Sequence, residues 1–395
     1  MLATLLVPAP AGAQAVTAVF EADLRAEIAA GRFDPARDAV GLRGGVAPLS
    51  WQRSLPLRDL GEGRYGADVR FDAVPFGGQP VPYKFRIERP GQGGDEGWEP
   101  GPNRAALLDG PAPRFARAFG TEAPPLPPHI AGTVLSFDPG PARHAPARPV
   151  QVWLPPGYDD APGRRYPVLV LLDGQNVFDA RSAGAEWQVD ETAQRLVLAG
   201  EIEPLIVVAV PSGRDRLHDY TPSAGLMDAA RRGSDGPPQR VGGGGPAFAR
   251  YLLDELKPAI DRRFRTRPEA AATAVGGSSL GGLFALWLAL HHADRVGAAL
   301  VVSPSAWWDD GFAERDVRQW VPAGVTRPRL WLDIGGQEGE GAVPAVRRLR
   351  DALLSRGWSE ATLRYVEVPE GRHDELSWAA RVEGMLKFLH GAASR

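Results

Sequence analysis

Two regimes of hydrophobic patterning divide the chain. Between residues 16 and 118, short stretches alternate apolar and polar positions, at 16–24, 39–44, 64–71 and 81–87. A period of two suits strands with one buried face. Turn clusters at Gly61-Glu62-Gly63, Gly77-Gly78 and residues 91–94 separate them. Short alternating strands with regular turns predict a β-sandwich, with one short helix at 24–30. Residues 121–128 hold Pro124, Pro125, Pro127 and Pro128, which reads as a stiff linker and a domain boundary. Beyond residue 130 the pattern changes. Residues 168–172 and 205–210 are apolar throughout, as in strands buried on both faces of a parallel sheet. Strand-like stretches at 148–154, 166–172, 205–210, 272–276, 298–303, 329–334 and 362–368 alternate with helix-like ones at 191–199, 247–261, 283–291, 345–356 and 379–390. That alternation predicts an α/β fold with a mostly parallel central sheet. The expected organisation is a leader over 1–15, an all-β sandwich over 16–118, a linker over 119–129 and an α/β domain over 130–395.

Composition narrows the chemistry. The formal net charge of -3 gives no bulk attraction to nucleic acid or an anionic membrane surface. The absence of cysteine excludes disulfides, thiolate metal sites and a Cys nucleophile. No apolar run is long enough to span a bilayer. Residues 1–15 are apolar and small, and Ala11-Gly12-Ala13 and Ala13-Gln14-Ala15 both fit a small-x-small cleavage site. Without a basic n-region they read as the tail of a secretory signal, so a periplasmic or secreted protein is expected.

One stretch carries nucleophile chemistry. Gly277-Ser278-Ser279-Leu280-Gly281 has the form G-x-S-x-G, preceded by small apolar residues and followed by a helix-forming run from Leu283. A serine on a tight strand-to-helix turn stands clear of the backbone, and its flanking glycines avoid clashes. Ser279 is the predicted nucleophile. It needs a base and an acid to orient that base, in the chain order Ser, acid, His. Of the seven histidines, His129 and His144 lie near the linker, His291 and His292 end a helix, and His390 sits among apolar residues. His218 lies in a long loop over 211–246, where it could touch substrate. His373 follows the last strand and is the predicted base. The acid belongs just past the strand at 329–334, where Glu338 is favoured over Asp333, inside the strand, and Glu340, farther out. An oxyanion needs two backbone donors. Leu280 supplies one; after Asp173-Gly174, Gln175 or Asn176 supplies the other.

Two resemblances follow from these residues. Trp51, Tyr83-Lys84-Phe85 and Trp98-Glu99-Pro100-Gly101-Pro102-Asn103-Arg104 resemble the signature of family-20 starch-binding modules. The resemblance implies a sugar-stacking site of Trp51, Trp98 and Lys84. In the second half, the stretches 152–159, 166–169, 172–176, 219–222, 277–282, 303–308 and 371–375 resemble the esterase-D-type "putative esterase" family. That family includes feruloyl, acetylxylan and enterobactin-type esterases. It implies an α/β-hydrolase fold and Ser-acid-His ester hydrolysis with no metal or cofactor. It also implies substrate-facing aromatics at Trp307 and Trp308. The expected function is a serine carboxylic-ester hydrolase acting on acyl esters of carbohydrates or polysaccharides. The alternatives are a siderophore esterase, or a glycan-binding protein with an inactive hydrolase domain. Expected partners are a small-molecule or polysaccharide ester and a glycan, with no nucleic acid and no membrane.

Overall fold

The computed structural model describes residues 5–6, 15–51, 53–71, 80–91, 96–101, 103–108, 112–121, 130–180, 185–227, 237–320 and 327–391. The leader (apart from 5–6 and 15), the prolines of 121–128, His129 and Gly77-Gly78 lie outside them. The all-apolar segments form the middle of a nine-stranded sheet. Its order is Leu5–Leu6, Leu363–Val368, Arg329–Gly335, Ala298–Val302, Thr273–Ser278, Val168–Leu172, Ile206–Val210, Val150–Leu154 and Thr133–Phe137. Strand pairs are parallel from Leu5–Leu6 across to Ile206–Val210, and antiparallel at Val150–Leu154 and Thr133–Phe137. Alternate residues of the central strands feed two cores, as the pleat requires. Val168, Leu172, Val208 and Val275 face the helices Leu280–His291 and Ala342–Ser355. Leu169, Leu171, Val207 and Leu300 face the helices Val189–Leu198 and Glu375–His390. The parallel strands therefore all point their C-terminal ends at one edge, where loops can bring distant residues together.

Ahead of this layer lie two four-stranded sheets. One runs Arg58–Gly61, Arg64–Phe71, Val16–Asp23, Arg114–Ala118; the other runs Leu55–Pro56, Ala39–Gly44, Val81–Glu88, Arg104–Ala106. Phe20 of the first and Tyr83 of the second meet edge to face at 4.9 Å in a shared apolar core.

Several elements depart from the pattern-based expectation, among them a short helix Arg216–Tyr220 and a hairpin of Ala224–Met227 with Gln239–Gly242 inside the expected loop over 211–246. The edge strand Thr133–Phe137 has no fully buried position, so its apolar signal is weak. The run expected as one helix at 247–261 divides into Gly245–Arg250, a π-helical turn Tyr251–Leu256, and Lys257–Arg263. Pro258 removes a backbone donor there, which breaks the regular ladder. The helix Trp308–Gln319 is interrupted by positive φ at Asp309, Asp310 and Gly311, and no helical period shows through.

Candidate active site

Ser279 sits between the strand Thr273–Ser278 and the helix Leu280–His291, at φ 58° and ψ -121°. That conformation is costly for a residue with a Cβ, and tight surroundings enforce it. A Cβ on Gly277 would lie 2.8 Å from the carbonyl carbon of Gly281, and one on Gly282 would lie 2.9 Å from the carbonyl oxygen of Val302. The Ser279 N–H donates to that same oxygen at 3.0 Å. The turn is thus pinned to the neighbouring strand, with the serine at its apex.

His373 lies in the loop after Leu363–Val368, immediately before Asp374, which caps the helix Glu375–His390 by accepting from the Ser377 N–H at 2.8 Å. The imidazole packs edge-on against Trp378, with ring centroids 5.2 Å apart. Its Nδ1 is 2.8 Å from Glu338 Oε2. A carboxylate there assigns the proton to Nδ1 and leaves Nε2 free to accept one. The Glu338 side chain is 2 % exposed, while that of His373 is 43 % exposed. Burial pushes the Glu338 carboxyl up, but hydrogen bonds from His373 and Ser303 outweigh it, and the group falls below the usual glutamate range.

The other acids are placed differently. Asp333 is fully buried within its strand and pairs with Arg381 at 2.7 Å. Burial pushes its carboxyl up, against the pull of Arg381 and the Trp331 N–H. Glu340 is exposed. No hydrogen bond joins His373 to Ser279 among the described residues. Ser279 Oγ instead lies 3.2 Å from Oγ of Ser305, a neighbour that pattern and motif do not single out. Catalytic hydrogen bonds in enzymes without substrate are often long and tighten only on binding.

Leu280 is the first residue of its helix, and Gln175 is the second of the short 3₁₀ turn Gly174–Asn176, so helix geometry leaves both N–H groups without an intrahelical partner. The Asn176 N–H is taken by the Asp173 carbonyl at 3.0 Å, which separates it from Gln175. Gln175 is held in place by its side chain, which accepts from the Ser212 N–H at 3.0 Å. Gly174 is required here, because a Cβ would fall 2.4 Å from the carbonyl carbon of Ala209. Beside the turn, Asp173 forms a two-pronged pair with Arg216, both contacts at 2.7 Å.

The adjacent tryptophans diverge. Trp307 is 47 % exposed, but Trp308 is 1 % exposed. The Trp308 indole donates to the Ser223 carbonyl at 3.1 Å and packs where a Cβ on Gly225 or Gly242 would stand 3.0 Å away. Trp308 is therefore a core residue, which corrects its expected substrate-facing role; of the pair, Trp307 is the exposed one. Trp308→Ala is expected to lower stability by about 3–5 kcal/mol in urea unfolding. Trp307→Ala should stay within about 0.5 kcal/mol of wild type and raise KM instead.

His144 and His218 have other neighbours. His144 pairs with Glu255, and His218 packs against Gly244. In the first half, Trp51 and Trp98 lie 6.2 Å apart, tilted by 55°, and both are half-buried. Arg43 and Arg86 sit over the Trp98 ring at 5.1 and 5.6 Å. The Lys84 ammonium donates to the Gly101 carbonyl at 2.6 Å. Within the motif that follows Trp98, Glu99 and Arg104 form a buried ion pair at 2.6 Å, and Glu99 also accepts from the Phe85 N–H at 2.8 Å. Those two positions serve the fold.

A family model described as "Putative esterase" matches residues 145–389. Among curated proteins, the ferri-bacillibactin esterase BesA of Bacillus subtilis (strain 168) is 30 % identical over 165 residues, 40 % of this chain and 55 % of that one. The endo-1,4-beta-xylanase/feruloyl esterase of Xylanibacter ruminicola is 25 % identical over 246 residues, 60 % of this chain and 28 % of that one. The chain thus spans about half the length of the first relative and less of the second. Among solved structures, the enterobactin esterase FES from Shigella flexneri in the presence of enterobactin aligns with a TM-score of 0.59. At 18 % identity, and covering 89 % of this chain and 88 % of that one, it shares the fold.

Proposed function

The chain belongs to the "putative esterase" family, and from that premise we propose that it is a serine carboxylic-ester hydrolase working through an acyl-enzyme on Ser279. The observation that carries this is the 2.8 Å Glu338–His373 contact at the sheet edge that also bears the Ser279 turn. In the proposed reaction, His373 Nε2 takes the Ser279 proton as Oγ attacks the ester carbonyl. The N–H groups of Leu280 and Gln175 receive the oxyanion. His373 then gives its proton to the leaving alcohol, and water repeats the sequence to release the acid. Glu338 stays ionised throughout and fixes the imidazole tautomer. Exposed Trp307, two residues from Ser305, offers an aromatic wall to the acyl or alcohol group. The test is a burst of p-nitrophenol from p-nitrophenyl acetate, with fluorophosphonate label recovered on Ser279. Neither burst nor label would leave a glycan-binding protein with an inert hydrolase domain.

For the substrate, the first reading is an acyl ester of a carbohydrate. The feruloyl esterase relative and the Trp51–Trp98 pair with Lys84 support it. A siderophore ester is the second reading. Similarity to the bacillibactin esterase supports it, as do the guanidinium groups over Trp98, which compete with a sugar ring for the indole face. A comparison of kcat/KM on feruloylated or acetylated xylo-oligosaccharides and on a catecholate trilactone separates them. Retention of the full chain on a starch or xylan column, lost in Trp98→Ala, is expected only under the first.

A further inference from the structure

We infer that Ser303, fixed by Trp378 and by the Asp333–Arg381 ion pair, is a positioning residue that presents Glu338 to His373 as an oriented anion. The inference rests on the triad reading above. A count of donors and acceptors fixes where the Ser303 proton points. Ser303 Oγ contacts three groups: Trp378 Nε1 at 3.1 Å, Arg381 Nη1 at 3.1 Å and Glu338 Oε1 at 2.5 Å. An indole N–H and a guanidinium can only donate. Both lone pairs of the hydroxyl are therefore taken, and its single proton must point at Glu338. The rotor has no other choice.

The same count applies one layer down. Asp333 receives the Trp331 N–H at 2.6 Å, the Arg381 guanidinium at 2.7 Å and the Ser303 N–H at 3.1 Å. All three partners donate, so a protonated Asp333 would carry an O–H with no acceptor. Asp333 is thus the anion that balances Arg381. This matters for Glu338, whose Oε1 also faces Arg381 Nη2 at 3.7 Å and accepts the Gly335 N–H at 2.7 Å. The charged and titratable groups gathered here are Asp333 from its strand, Arg381 from the C-terminal helix, Glu338 and His373. With Arg381 balanced by Asp333, the negative charge of Glu338 remains available to an imidazolium at His373. Ser303 completes the link, and its backbone is held at φ 41°, a conformation that a non-glycine residue adopts only under constraint. Its side chain is buried, with the whole residue 1 % exposed, so substrate does not reach it.

The test uses the full chain with Ser303→Ala and Ser303→Gly; the second relaxes the positive-φ backbone and guards against a folding defect. Loss of a hydrogen bond to a charged group is expected to lower kcat by roughly tenfold to a hundredfold with KM within about twofold. The far-downfield proton resonance of His373 Nδ1–H, assigned by its loss in His373→Ala, is expected to move upfield and broaden. Fluorophosphonate labelling of Ser279 should slow in step with kcat. If Ser303→Gly keeps kcat within about twofold and leaves that resonance in place, Ser303 serves packing alone and the inference is overturned. Wild-type protein that neither labels nor turns over sinks the hydrolase reading first, and this inference with it.

Discussion

Ser279→Ala is expected to lower kcat for ester cleavage by about 10⁴–10⁶ while the protein stays folded. Both parts follow from the turn. Alanine and serine carry the same Cβ, so the substitution adds no strain at φ 58° and ψ -121°. The hydrogen bond from the residue 279 N–H to the Val302 carbonyl involves only the backbone and survives. What disappears is Oγ, and with it the only bond the acyl group could form at the apex. Oxyanion donors and binding would then sustain a small residual rate. Ser305 is the obvious substitute, since its Oγ is 3.2 Å away. It is buried, however, and its N–H is tied to the Ser279 carbonyl at 3.0 Å, which holds it beneath the apex. Initial rates on p-nitrophenyl acetate and a urea midpoint decide the matter. A variant that keeps half of its activity would put the nucleophile elsewhere, with Ser305 the next to replace.

The elbow is legible in the sequence because everything that makes it is local: an apolar strand, Gly277, Ser279, Gly281 and a helix-forming run within a few residues. The parallel core is legible for a similar reason, since strands buried on both faces leave uninterrupted apolar runs. The choice among Glu338, Asp333 and Glu340 is legible only as position along a strand. What separates them in space is Arg381, about fifty residues away in sequence, which takes Asp333 and leaves Glu338 to His373. Ser303 is illegible for the same reason. Its partners come from residues 333, 338, 378 and 381, and only the register of parallel strands brings them to one edge. Trp307 and Trp308 show the limit most sharply, because two identical neighbours divide between solvent and core where a helix begins. In the first half, the W-E-x-x-P-N-R stretch is recognisable as a motif, but the spacing does not tell that Glu99 and Arg104 spend themselves on each other.

Glu338→Gln is expected to lower kcat by about 10³–10⁴, with little change in KM. Oε1 of Glu338 receives the Gly335 N–H at 2.7 Å and the Ser303 hydroxyl at 2.5 Å, with Arg381 Nη2 at 3.7 Å. Two donors bond to that oxygen and a guanidinium faces it, so the amide oxygen of a glutamine must take that position. Its NH₂ is then forced toward His373 Nδ1. An amide N–H facing Nδ1 selects the opposite tautomer, with the proton on Nε2. In that tautomer the nitrogen that should receive the Ser279 proton has no lone pair to offer. The loss therefore exceeds that of a merely weakened hydrogen bond. It also exceeds that of Glu340→Gln, which is exposed and should stay within about twofold of wild type. Asp333→Asn is the harder comparison. It leaves Arg381 buried without its counter-ion, and about 3–5 kcal/mol of stability should be lost. Per folded molecule, however, the correct His373 tautomer is preserved, and more activity remains than in Glu338→Gln. Rates normalised to the folded fraction test the order. A well-folded, inactive Asp333→Asn beside an active Glu338→Gln would transfer the acid's role to Asp333.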